Sequence, residues 1–189
     1  DYWDYDGLGG YDPNIPGLYD KLETDGTNWI TTKKNLDEYT FDSNGLLKTI
    51  EDKNGNTFTL SYEHPTDANL VTSITDPANR TLGLGYTNGL LTGLADFSSR
   101  TVSYSYTGSQ LTQVTDVLGN TVAYTYDSNG YLEIINDQRN INTVSNVYDA
   151  SGRVVQQADG NGNITTFTYG TEGAFNKTTI TNPDATVVE

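Results

Sequence analysis

The stretch YTYDSNGYLEIIND, residues Tyr124–Asp137, decides the fold because similar copies of it recur along the chain. Close copies are YTFDSNGLLKTIED at Tyr39–Asp52 and YSYTGSQLTQVTD at Tyr104–Asp116. Each copy holds alternating aromatic residues, a turn, two apolar residues and an aspartate. Such repetition indicates one small unit that is used many times and that packs against its neighbours.

The spacing within the repeat is regular. The aromatic residue before the first turn of each unit, which we call the anchor, recurs every 20 to 24 residues, at Phe41, Tyr62, Tyr86, Tyr106, Tyr126, Tyr148 and Tyr169. A constant triplet follows six of the anchors, with its second residue three positions after the first and an aspartate two positions further on. The triplets are Leu47/Ile50/Asp52, Val71/Ile74/Asp76, Leu91/Leu94/Asp96, Leu111/Val114/Asp116, Leu132/Ile135/Asp137 and Val154/Gln157/Asp159. Most of the length variation therefore lies in the first turn.

Each unit reads as strand, turn, strand, turn. Val102, Tyr104 and Tyr106 alternate with polar residues, which predicts a strand with one apolar face. In the second strand the apolar pair is three residues apart, which predicts a β-bulge or a kink. Asp-led turns need a left-handed residue near their end, so positive φ is expected at Gly45, Gly55, Gly119, Gly130, Gly162, Asn79 and Asn140.

These patterns predict an all-β fold, a spiralling antiparallel sheet of β-hairpin repeats. We divide the chain into a Tyr/Gly-rich entry or capping segment, residues 1–36, which contains Trp3 and Trp29, and a repeat region, residues 37–189. The repeat region holds about six complete units and a truncated last one. The anchor tyrosines are expected to line the packed side of the sheet, where replacing Tyr126 with Ala would cost several kcal/mol.

Composition excludes several classes of partner and site. The net charge of −15 disfavours nucleic acid and anionic membranes. No apolar run approaches the roughly 20 residues of a membrane span. The chain lacks cysteine, and it also lacks methionine, even at position 1. Because methionine is missing, we expect a processed segment or a piece of a longer protein. We also expect that the chain binds no cofactor.

Catalytic and metal sites receive little support from the sequence. His64, the single histidine, lies in the longest first turn with no nucleophile paired to it. The aspartates recur at turns, whereas a catalytic carboxylate pair would occur once, so we predict no enzyme activity. Asp4, Asp6 and Asp12 are weak calcium candidates, because an EF-hand register would place Tyr2 and Pro13 at ligand positions.

The recurring pattern resembles the YD repeat, also called the Rhs repeat. Besides the stretches quoted above, VYDASGRVVQQADGNGN at Val147–Asn163 matches it closely, and the resemblance covers about Asp37 to Asn182. Families with this repeat include bacterial Rhs polymorphic toxins, subunits of insecticidal toxin complexes, wall-associated proteins and teneurins. The resemblance implies a large secreted or cell-surface protein whose repeats build a hollow β-shell, often around a C-terminal toxin.

The chain departs from the full family pattern at one point. The core segment that ends such shells, with its Asp-Pro-x-Gly-Leu cleavage site, has no counterpart here. Asp76-Pro77 and Asn182-Pro183 fall in ordinary second turns by register. No autoproteolytic residue is therefore carried over from the family.

Two functions remain open from the sequence. The first is a non-catalytic wall segment whose partner is the rest of its own polypeptide. The second is a module for cell-wall or other glycans, in which tyrosine rings stack on sugars. Both tryptophans lie outside the repeats, which favours the first.

We also expect self-association through the strand at Val187-Val188, if its edge is left exposed.

Overall fold

A computed structural model describes residues 3–5, 7, 10–13 and 19–188. These residues form β-strands and turns and contain no helix, which confirms the prediction of an all-β chain of antiparallel hairpins. No described helix is long and apolar enough to cross a membrane. The chain divides into two compact units, residues 1–101 and 102–189.

The first unit is an antiparallel meander in which each strand pairs with the next along the chain. Its strands are β1 (Trp3–Tyr5), β2 (Gly10–Pro13), β3 (Lys21–Thr24), β4 (Trp29–Thr32), β5 (Glu38–Phe41), β6 (Leu47–Glu51), β7 (Thr57–Ser61), β8 (Ser73–Thr75), β9 (Thr81–Thr87) and β10 (Leu90–Ala95). Strands therefore begin well before residue 37.

The second unit repeats this meander. Its strands are β11 (Thr101–Thr107), β12 (Gln110–Thr115), β13 (Thr121–Tyr126), β14 (Leu132–Asn136), β15 (Asn142–Tyr148), β16 (Val154–Asp159), β17 (Ile164–Glu172), β18 (Phe175–Thr181) and β19 (Val187–Val188). β19 pairs on one side with β18, through Ile180 and Thr181. The division of the chain at residues 36 and 37 stays a prediction.

The predicted bulge is confirmed in five hairpins. In each, the residue after the first apolar member of the triplet has no partner on the opposite strand; Tyr126 pairs with Leu132 and Thr125 with Ile134, for example, so Glu133 is skipped. The skipped residues are Lys48, Thr92, Thr112, Glu133 and Val155. A bulge of this kind returns both apolar residues of the triplet to one side of the strand.

The turn prediction is also confirmed. All seven residues named above have positive φ, between 58° and 86°. In each Asp-led turn the aspartate N–H donates to the carbonyl four residues on, and the residue at positive φ donates back to the aspartate carbonyl. Ser99 and Ala185 occupy the same place in two further turns, with φ of 62° and 65°. Turn geometry there overrides the usual preference for glycine or asparagine.

Packing departs from the expectation of a buried side. Along β11 the even-numbered residues are half-buried and the odd-numbered ones exposed, as the alternation predicts. Yet no apolar side chain among the described residues is fully buried, and the most buried polar side chain is Asn146, at 9% exposure. The apolar side chains cover one another across strands, but no second layer of described residues covers them in either unit. The sheet therefore lacks the two-layer core of an ordinary domain.

Candidate functional site

The half-buried side of each unit is the candidate site, and we call it the apolar face. Cross-strand pairs bring its members side by side. In the first unit they include Tyr39, Phe41, Leu47, Ile50, Leu60, Tyr62, Ile74, Leu84, Tyr86, Leu91 and Leu94. In the second they include Tyr104, Tyr106, Leu111, Val114, Tyr124, Tyr126, Leu132, Ile135, Tyr148, Val154, Phe167 and Tyr169. Thr101, Ser103, Thr121 and Thr125 are predicted to face the opposite side; Thr101, Ser103 and Thr125 are exposed, whereas Thr121 is half-buried.

The anchor tyrosines share a hydrogen bond that their spacing alone does not reveal. Five anchor tyrosines donate their hydroxyls to the main-chain carbonyl of the first triplet residue of the preceding repeat, at 2.6 to 2.9 Å. The pairs are Tyr62–Leu47, Tyr86–Val71, Tyr126–Leu111, Tyr148–Leu132 and Tyr169–Val154. The donor follows its acceptor by 15 residues in four pairs and by 16 in the fifth.

The position of these acceptor carbonyls explains why the anchor is usually a tyrosine. Leu47, Leu111, Leu132 and Val154 each immediately precede a bulge residue. A bulge disrupts the ladder and leaves main-chain groups without their regular partners, and unpaired main-chain groups away from water are costly. The phenol of the next repeat supplies a donor at this point. An anchor therefore contributes both its ring, to the apolar face, and its hydroxyl, to the bulge.

The repeated aspartates hold the turns. Asp52 is typical: one carboxylate oxygen, Oδ1, accepts the main-chain N–H groups of Asn54 and Asn56 at 2.8 and 2.9 Å, and Oδ2 accepts the Asn56 amide at 2.7 Å. The same two main-chain bonds recur at Asp76, Asp96, Asp116, Asp137 and Asp159. These carboxylates face their own turns, and their described bonds are those of backbone caps.

An arginine replaces the asparagine partner in several turns. Arg80 pairs with Asp76 at 2.6 Å and Arg100 with Asp96 at 2.5 Å. Arg139 pairs with Asp137 and Arg153 with Asp149. All four arginines of the chain are thus engaged with a turn aspartate of their own hairpin.

Hydrogen bonding lowers the pKa of these aspartates. Side-chain and main-chain bonds from Asn56 bring the pKa of Asp52 to about 2. The pKa of Asp116 is lowered in the same way by Asn120, and that of Asp76 by the Arg80 side chain and then its main chain. Main-chain donation by Ile141, ahead of the Arg139 side chain, lowers the pKa of Asp137. The charged form is thus favoured by the folded turn.

Acid should therefore unfold the chain over a defined interval. A carboxylate whose pKa is lower in the folded state stabilises the fold above its unfolded pKa, about 3.9 for Asp. That stabilisation is lost as the pH falls toward the folded value, about 2 for Asp52. We expect melting temperatures by circular dichroism to be level from neutral pH down to about 5 and to fall steeply below about 4.

A matched pair of variants tests the assignment to the turns. Asp52→Asn keeps a side-chain oxygen that can accept the main-chain N–H groups but does not titrate. The fall of its melting temperature below about pH 4 should therefore be shallower than in the wild type. Glu133→Gln removes an exposed carboxylate that accepts no turn hydrogen bond in the described part of the chain. This substitution should leave the dependence of the melting temperature on pH unchanged. An equally steep fall of melting temperature with decreasing pH in the wild type and in Asp52→Asn would contradict the prediction.

One polar pair interrupts the apolar face. Asn146 and Gln157 lie opposite each other, where the neighbouring hairpin has Tyr124 and Ile135. The Gln157 amide donates to Asn146 Oδ1 at 2.9 Å, and Asn146 Nδ2 donates to the Leu132 carbonyl at 3.0 Å. The Leu132 carbonyl also accepts the Tyr148 hydroxyl, so two donors from the next hairpin meet at this bulge.

Two anchor rings are partly covered by the first turns. The Tyr131 ring lies 5.0 Å from the Tyr148 ring, between centroids, and is tilted to it by 33°. The Arg153 guanidinium lies 4.4 Å from the centroid of the Tyr169 ring. Gly152 leaves room for Tyr131, since a Cβ there would stand 2.5 Å from the Tyr131 hydroxyl oxygen. These neighbours occupy part of the ring surface on which a sugar would stack.

The other sequence candidates lie apart from the apolar face or beyond the described residues. His64 has its ring edge-on to Tyr86, 5.8 Å between centroids, and the Thr66 hydroxyl 3.5 Å from Nδ1. Asp4 is exposed in β1 and pairs in register with Asp12 in β2. Asp6 and the side chain of Asp12 lie outside the described residues, so the calcium site stays a prediction.

Comparison with protein families matches most of the chain. The family model of the teneurin YD-shell matches residues 23–145, well over half of the chain. The model of the Rhs repeat matches residues 148–187. A comparison with curated proteins found no match. Rhs/YD-repeat proteins are generally extracellular or surface-associated structural repeat proteins. The apolar face, the bulges and the anchor tyrosines are therefore features of a repeat array, and the chain belongs to the teneurin YD-shell family.

Proposed function

We propose that the chain is a non-catalytic section of the wall of a β-shell in a larger secreted or cell-surface protein. The observation that carries the proposal is the apolar face, which repeats through each unit while no apolar side chain among the described residues is fully buried. A sheet with one apolar face gains stability when another part of a protein covers it. Membership of a structural repeat family supports the same function.

The repeating bonds support a mechanical role. Anchor tyrosines such as Tyr126 connect one hairpin to the one before it, and turn aspartates such as Asp52 accept hydrogen bonds from their own main chain. The side chains that recur most often therefore form hydrogen bonds within the repeat array. In the proposed parent protein further repeats continue the wall, and the enclosed cargo implied by the family resemblance is a C-terminal toxin.

Glycan binding is the competing function, and the same tyrosines would serve it. A ring held by its hydroxyl offers one face to a sugar. The contacts of Tyr131 with Tyr148 and of Arg153 with Tyr169 reduce that surface in the second unit. Wall formation is therefore the function that the geometry supports better.

Hydroxyl-radical footprinting of the parent protein and of this chain alone distinguishes the two functions. In a shell wall, Tyr124 and Tyr126 should be labelled several-fold less in the parent than in the isolated chain, because other parts of the protein cover them. Val147, 51% exposed on the opposite side of the sheet, serves as an internal control. Equal labelling of both tyrosines in the two proteins would overturn the proposal. Protection of the isolated chain by soluble cell-wall fragments would add support for glycan binding.

A further inference from the structure

Five asparagine–glycine pairs occur in turns, and their surroundings differ. They begin at Asn44, Asn54, Asn88, Asn129 and Asn161. The glycine after an asparagine presents an unhindered main-chain nitrogen, and this nitrogen can attack the asparagine side-chain carbonyl carbon. The reaction requires that the N–H lose its proton and that the turn open enough for the two atoms to meet.

Four of the pairs are held against this attack. Their glycine N–H groups donate to the carbonyl of the aspartate that leads the turn, at 2.9 to 3.0 Å. The asparagine N–H groups of the same turns donate to the aspartate Oδ1, at 2.8 to 2.9 Å. Each such turn fixes both members of the pair. The glycine nitrogen reacts only after its hydrogen bond has broken.

Asn88-Gly89 lies in a different turn. It forms the two-residue connection between β9 and β10, in which Leu90 pairs directly with Thr87. Both residues have positive φ, 52° and 77°, as a type I′ turn requires. Both are exposed, and neither N–H donates to a protein acceptor in the described part of the chain. The Gly89 nitrogen is thus available without the loss of a hydrogen bond.

We propose that Asn88 is a site of spontaneous deamidation in the folded protein, selected over the four other asparagine–glycine pairs. The Gly89 nitrogen loses its proton to solvent base and forms a bond to Asn88 Cγ. The bond from Cγ to Nδ2 breaks, and ammonia leaves with a proton from water. A second water molecule opens the resulting succinimide ring, so the product is aspartate or isoaspartate.

The product changes the hairpin in two ways. Either product adds one negative charge at an exposed turn of a chain whose net charge is already −15. Isoaspartate also places an additional methylene in the main chain. A two-residue turn matches its strands through a narrow choice of dihedral angles, so this product should disturb the pairing of Leu90 with Thr87. The site is thus a marker of protein age located at one hairpin.

Peptide mapping by mass spectrometry tests the proposal. The folded chain is incubated in mildly alkaline buffer, and conversion of amide to acid is followed at all five asparagines. Conversion at Asn88 should be several-fold faster than at any other pair, whereas in the chemically unfolded chain the five rates should converge. A folded chain in which one of the other four pairs converts as fast as Asn88 would overturn the proposal.

A variant in a second turn checks the cause. Asp127→Ala removes the carboxylate that accepts the Asn129 N–H and loosens the turn at Gly130, so conversion at Asn129 should rise toward the rate at Asn88. Conversion at Asn88 in the same molecule provides the internal reference. An unchanged rate at Asn129, with hydrogen exchange showing that the Gly130 amide has become unprotected, would overturn the assigned mechanism.

Discussion

Replacing Tyr126 with Ala should lower the free energy of unfolding by about 3 kcal/mol, near the low end for a buried aromatic residue, because the ring is half-buried. Replacing it with Phe should cost about 1 kcal/mol, the contribution of the hydrogen bond to the Leu111 carbonyl. The two substitutions separate the ring from the hydroxyl. Urea unfolding followed by circular dichroism measures both values.

Thr125→Ala is the matched control for the Tyr126 variants. Thr125 neighbours Tyr126 in β13 but is exposed on the opposite side of the sheet, so its replacement should change stability by less than about 0.5 kcal/mol. A negligible cost for Tyr126→Ala would mean that the ring is a surface platform. A Phe variant as unstable as the Ala variant would mean that the ring contributes nothing beyond its hydroxyl.

Replacing Gln157 with Ile should cost about 2 kcal/mol, because it leaves the Asn146 amide oxygen without its partner at the most buried polar position of the described chain. Changing Asn146 to Tyr at the same time copies the Tyr124–Ile135 pair of the neighbouring hairpin. The double variant should recover most of the loss. Thermal or urea unfolding of the wild type, both single variants and the double variant gives the coupling energy directly.

Two results of that cycle would contradict the prediction. A double variant as unstable as the sum of the single variants would show that the two amides act independently. A Gln157→Ile variant as stable as the wild type would show that the bond between the amides contributes nothing to stability.

The local features of the fold could be predicted from the sequence because they depend on short-range rules. An aspartate followed by a left-handed residue defines the turn, and an apolar pair three residues apart in a strand requires a bulge. Gly45 and Asn140 illustrate the first rule, and the skipped Glu133 illustrates the second. Both rules act within five residues, so one sequence suffices.

The longer-range features could not be derived in the same way. The spacing of Tyr126 from Leu111 shows that the two residues belong to successive repeats, but not that one donates to the carbonyl of the other. One signal was present: six of the seven anchors are tyrosine, whereas simple packing would accept phenylalanine equally. The uncovered apolar face had no signal, because amphipathic strands look the same whether or not a second layer covers them.

The hydrogen bond from an anchor tyrosine to the preceding repeat also implies an order in which the repeats form. A tyrosine emerges from the ribosome after its acceptor, never before it, and the two are separated by only 15 or 16 residues. Contacts this local form quickly and need no distant segment. Each newly synthesised repeat can therefore bond to the repeat before it. The sheet can grow by one hairpin at a time while the rest of the polypeptide is still being synthesised.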